Sequence, residues 1–101
     1  MTIEIVSKQS VISRVKRSCE EFFREKSLLY IKRNNVFSFR NNSLILFFSR
    51  GLLTIIAEQS DPLLSVIIPF LKDFMGSEVF GVRLSEDAPA FILEGMHSVI
   101  L

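Results

Sequence analysis

The stretch LLYIKRNNVFSFRNNSLILFFSRGLLTIIAE, residues 28–58, decides the architecture. It divides into four apolar runs, Leu28 to Lys32, Val36 to Arg40, Leu44 to Ser49 and Leu52 to Glu58, each of ordinary strand length. The breaks between them carry turn chemistry. Asn34-Asn35 and Asn41-Asn42 tolerate the left-handed backbone that most side chains resist, and Ser49-Arg50-Gly51 reads as a three-residue hairpin with glycine at the positive-φ position. The expected structure is an antiparallel meander.

The facing of these strands is unequal. Val36 to Arg40 alternates, with Phe37 and Phe39 on one side and Val36, Ser38 and Arg40 on the other, so one side tolerates water. Leu44 to Phe48 and Leu52 to Ala57 are apolar on both sides, the pattern of strands buried between two layers. Something is expected to cover the second face.

Working outward, Ser10 is a candidate N-cap. Val11, Ile12, Val15, Cys19, Phe22 and Phe23 then recur at helical spacing, which predicts an amphipathic helix ending near Lys26. Asp61-Pro62 starts a second helix and Gly76 stops it. Pro69 lies inside that helix and predicts a kink or break near Ser65 to Ile68. Val79 to Leu84 reads as a further strand with a bulge at Gly81, and Ala90 to Met96 as a short helix. Thr2 to Val6 alternates Ile3 and Ile5 against Thr2, Glu4 and Val6, and residues 1–9 are read as an edge strand or a flexible arm. The fold class is therefore α+β. A single domain over residues 1–101 has an antiparallel sheet of four to six strands (the 28–58 meander plus 79–84), packed by helices near 10–26 and 62–75.

Composition narrows the function classes. A hydrophobic fraction of 49%, with ten Phe, one Tyr and no Trp, excludes general disorder. The net charge of +1 hides an asymmetry: residues 1–50 hold ten Lys/Arg and four Asp/Glu, residues 51–101 two and seven. Cys19 is the only cysteine, so no intrachain disulfide forms and a reducing cytoplasm is the expected compartment. Met1 to Lys8 lacks the order of a signal peptide, and no run of about eighteen apolar residues predicts a transmembrane span.

No cofactor, metal or catalytic constellation is legible. His97 is the only histidine and has no Cys near it to complete a metal site, no serine sits in a nucleophile elbow, and Gly51, Gly76, Gly81 and Gly95 are too dispersed for a phosphate loop. The chain reads as non-enzymatic.

The apolar surplus favours a protein-interaction or assembly module, with a homodimer as the expected state or another protein as partner. Leu44, Leu46 and Phe48, or their opposite-face neighbours, are the candidate interface, together with Val99, Ile100 and Leu101 of the apolar C-terminus. Alternatively, Phe91 to Leu101 folds back over the sheet within one chain. A second reading is nucleic-acid binding through the basic half, with Arg14, Lys16, Arg17, Lys32 and Arg33 as candidate phosphate contacts. The order helix, meander, helix over Ser10 to Met75 is similar to the double-stranded-RNA-binding domain. That family's second helix opens with a lysine-rich run aimed at phosphates, whereas this chain has Asp61-Pro62-Leu63-Leu64-Ser65, and the family is not assigned. A third reading is a pocket for a small apolar ligand walled by Phe37, Phe39, Phe70 and Phe74.

Overall fold

A computed structural model of the chain describes residues 1–58, 60–88 and 99–100. In chain order the elements are β1 (Thr2–Ser7), α1 (Gln9–Glu25), β2 (Ile31–Arg33), β3 (Val36–Phe39), β4 (Leu44–Ser49), β5 (Leu52–Ala57), α2 (Leu64–Met75), a 3-10 turn (Gly76–Glu78), β6 (Val79–Leu84) and β7 (Val99–Ile100). The strands form one sheet in the order β2-β3-β4-β5-β1-β6-β7. Its first six strands are antiparallel, and β7 joins β6 in parallel through Gly81–Val99 and Val82–Ile100. The α+β class, the meander and both main helices are as the sequence predicts.

The N-terminal strand is neither an arm nor an edge. β1 lies between β5 and β6, pairing Ile3 with Ile55 on one side and Leu84 on the other. Ile3 and Ile5 are fully buried. The same insertion departs from the double-stranded-RNA-binding arrangement, because four strands rather than three separate the helices and β1 completes their sheet.

Both helices lie on one face. Val11, Ile12, Val15, Cys19 and Phe23 of α1 and Leu64, Ile67, Ile68, Leu71 and Met75 of α2 are buried in a single cluster with the inward side chains of the strands. Phe23 is its aromatic centre, with Tyr30, Phe37 and Phe39 packed edge-on at 5.0–5.8 Å between centroids, a preferred geometry for aromatic pairs.

Local chemistry differs from expectation at several ends. α1 begins after Lys8 without a side-chain cap, so Ser10 sits inside the helix. It ends on Ser27 in the left-handed conformation (φ 56°), with Leu28 N–H donating to the Phe23 carbonyl. Asp61 caps the turn before α2: its Oδ1 accepts from Leu63 N–H at 2.9 Å and its backbone carbonyl from Leu64 N–H. The helix runs on through the exposed Pro69 without a break. The expected glycine stop has φ −54° and leads into the 3-10 turn. The β4–β5 connection is a two-residue turn, Arg50-Gly51, since Ser49 pairs with Leu52; Gly51 has φ +69° as expected. The bulge near Gly81 is formed by Phe80, because Val6 pairs with Gly81 and Ser7 with Val79. The helix read at Ala90 to Met96 lies outside the described residues.

Candidate functional site

The hairpin registers determine which face each apolar residue takes. Phe39 pairs with Leu44 and Phe37 with Leu46, and Leu46 in turn pairs with Ile55 and Phe48 with Leu53. Directly opposed residues share a side of a sheet. The inward choice of Phe37 and Phe39 therefore carries Leu44, Leu46, Phe48, Leu53 and Ile55 inward with it, and all are buried beneath the helices.

This corrects the expected interface. Leu44 and Leu46 are completely buried and Phe48 is 2% exposed, so these three side chains are core and not available to a partner. Their opposite-face neighbours hold the exposed position. Of the C-terminal candidates, Val99 and Ile100 form β7 at the edge of the sheet, and Leu101 lies outside the described residues. The fold-back of Phe91 to Leu101 also falls outside them, apart from that pairing.

The face away from the helices is built from three cross-strand rows. The first runs Ile31, Ser38, Ile45, Ile56 and Thr2; the second Arg33, Val36, Phe47, Thr54, Glu4 and Arg83; the third Ser49, Leu52, Val6 and Gly81. The centre of the face is apolar, with Val6, Val36, Ile45 and Leu52 half-buried, Phe47 43% exposed and Ile56 46% exposed. Charge is confined to the flanking strands, where Arg33 stands near one edge and Glu4 pairs with Arg83 at 3.7 Å near the other. Neither helix covers this face, and Ile31 at its β2 margin is 62% exposed.

The basic residues do not form one surface. Arg14 pairs with Glu78 at 2.6 Å and lies over the Phe74 ring, and Lys32 pairs with Glu20 at 3.2 Å and lies over Phe37. Arg33 points to the open face, in the Val36 row. Of these five only Lys16 and Arg17 share a site, a cleft that also includes Arg50 of the β4–β5 turn.

The four phenylalanines suggested as pocket walls pack against other side chains. Phe37 and Phe39 are core, Phe70 stacks on Phe22 at 4.1 Å, and Phe74 sits between Phe70 and Arg14. Clefts of about 510 and 600 Å³ are lined by other residues.

Cys19 is enclosed among apolar side chains. Burial, with a smaller contribution from the neighbouring Glu20 charge, pushes its thiol up to about 12, so it stays protonated and unreactive at neutral pH. Among the described residues no three His, Cys, Asp or Glu side chains are grouped to hold a metal, and no helix is long and apolar enough to cross a membrane.

Comparison with known proteins adds no assignment. No family model, curated protein or solved structure matches this chain.

The sequence carries the relative facing of these strands. Phe37 and Phe39 alternate cleanly against Ser38, and counting across a four-residue turn from Phe39 to Leu44 places Phe47 opposite Val36. The signal was parity carried through the turns, not the composition of β4.

Proposed function

We propose that this protein is a non-enzymatic assembly module that forms a homodimer by packing the open faces of two sheets against each other. The observation that carries the reading is the apolar centre of that face, which neither helix covers, with Phe47 and Ile56 exposed in the middle strands. A six-stranded face with strands of up to six residues spans about 29 by 20 Å at ordinary strand spacing and rise. Two such faces remove on the order of 1,000 Å² or more from water, which reaches the lower margin of specific interfaces.

A second copy suits this surface better than a strongly charged partner. The apolar patch is central and its charges marginal, the distribution of a hydrophobic centre inside a polar rim. Sheets packed face to face lie about 10 Å apart with strand directions offset by about 30°. Ser38 stands beside Ile45 and Thr54 beside Phe47 in the cross-strand rows, leaving low points next to large side chains for ridges of the facing copy.

Size-exclusion chromatography with light scattering tests the reading. A dimer at micromolar concentration that becomes a folded monomer on Phe47→Glu supports it. A wild-type chain that is strictly monomeric over the same range overturns it.

A further inference from the structure

We propose a second binding site, for a small phosphate-bearing anion, in the cleft beside the first half of α1. The cleft measures about 600 Å³, within the size range of small-molecule sites. Lys16 and Arg17 enter it from α1 and Arg50 from the β4–β5 turn, and Gln9, Ser13 and Asn35 add polar groups between them. Ile12 and Phe48 contribute the apolar floor.

Three basic side chains and no carboxylate line this cleft. Four basic side chains outside the cleft are paired with acids: Arg14 with Glu78, Lys32 with Glu20, Arg40 with Asp61 and Arg83 with Glu4. Neither Arg17 nor Arg50 takes part in a described ion pair, and the Lys16 amine donates to the amide oxygen of Asn35, a neutral acceptor. Three cations from two separate segments thus line one cleft whose walls hold no carboxylate. A concave surface lined by one sign concentrates oppositely charged ligands, and arginine offers paired N–H groups matched to phosphate oxygens.

One neutral group is left to donate. Gln9 is held in place, because its Oε1 accepts from Gly51 N–H at 2.6 Å and its Nε2 donates to Ser13 Oγ at 3.1 Å. With that bond received, the Ser13 hydroxyl proton is left to point at a ligand. A bare phosphate ion fills only part of such a volume, leaving room for an organic carrier. Free phosphate and a phosphorylated small molecule share the chemistry recognised here, and titration separates them.

Isothermal titration of the full chain at low ionic strength, with inorganic phosphate, AMP, glucose 6-phosphate and unphosphorylated adenosine and glucose, tests the site. Saturable binding of one equivalent is expected for phosphorylated compounds only. AMP or glucose 6-phosphate binding more tightly than phosphate identifies an organic carrier; equal affinity identifies free phosphate, and either outcome supports the site. Arg17→Glu and Arg50→Glu, both at exposed positions, are each expected to weaken binding on the order of tenfold or more, from loss of a charged hydrogen bond. Arg24→Glu, farther along α1, and Phe47→Glu, on the open face, are expected to leave it unchanged. The Phe47→Glu control keeps this site separate from the oligomeric state. No binding of any phosphorylated compound, equal weakening by Arg24→Glu, or affinity appearing only with oligonucleotides and rising with their length would each overturn the proposal.

Discussion

Phe47 and Phe48 are neighbours in sequence with opposite surroundings, so one substitution made at each position tests both the fold and the proposed interface. Phe48 is 2% exposed and packs edge-on against Phe37 at 5.6 Å. Truncating a buried phenylalanine costs about 3–5 kcal/mol. Phe48→Glu also puts a carboxylate at a position only 2% exposed, and its desolvation adds to that cost. Together these approach the roughly 5–15 kcal/mol that holds a domain of this size together, and Phe48→Glu is expected to abolish the folded far-UV circular dichroism signal. Phe47 is 43% exposed, and its replacement on a solvated strand face is expected to shift monomer stability by only about 1 kcal/mol. Its effect on association is larger. With about 200 Å² for a phenylalanine side chain, the exposed fraction leaves roughly 90 Å² per copy to be buried. Over two copies, at about 25 cal/mol per Å², this is about 4 kcal/mol, or about a thousandfold in the dimer dissociation constant. Urea unfolding and sedimentation equilibrium of the two variants give the answer. An unchanged dimer constant for Phe47→Glu refutes the interface, and a folded Phe48→Glu refutes the assignment of faces.

Three further perturbations address the scaffold. The raised Cys19 pKa means that the folded chain keeps a proton the unfolded chain releases above its ordinary value near 9; stability therefore falls as pH rises from about 9 towards 12, by about 1.4 kcal/mol per unit from this group. Urea unfolding of wild type and Cys19→Ala across pH 8–11 is expected to show that extra slope only in wild type, and parallel curves would refute it. Gly51→Ala is expected to cost about 1–2 kcal/mol, because φ is +69° and a Cβ would stand 3.2 Å from the Ser7 carbonyl oxygen; an unchanged thermal midpoint would contradict the strain argument. Ser27→Gly is expected to stabilise by about 0.5–1 kcal/mol, since Ser27 occupies a left-handed position at the end of α1 that suits glycine, and a lower midpoint would count against that geometry.

Much of the fold was legible because its signals are local. The apolar spacing of α1, the asparagine turns and the Pro62 and Gly76 punctuation each depend on a few residues, and they placed both helices and the meander to within a few residues. Errors arose where distant segments decide the outcome. β1 looks peripheral in the sequence because its partners lie far along the chain: Ile5 pairs with both Leu53 and Val82. The expected interface fell on Leu44, Leu46 and Phe48 because β4 is apolar at consecutive positions, and such a run carries no period-2 contrast to say which half faces inward. The cleft was not legible as a unit either, since Arg50 reaches Lys16 and Arg17 only when the β4–β5 turn packs beside α1.

By itself, then, the sequence determined the α+β class, the position of each turn, the amphipathic face of α1 and the presence of more apolar surface on β4 and β5 than one buried side needs. Tertiary structure alone decided where that surplus goes. By placing α1 and α2 on the same side, and carrying the inward choice of Phe37 and Phe39 across two hairpins, it buried Phe48 and left Phe47 facing water. The physical reason is that both side chains have the same affinity for an apolar environment, and only the location of the helices distinguishes the two sides of the sheet.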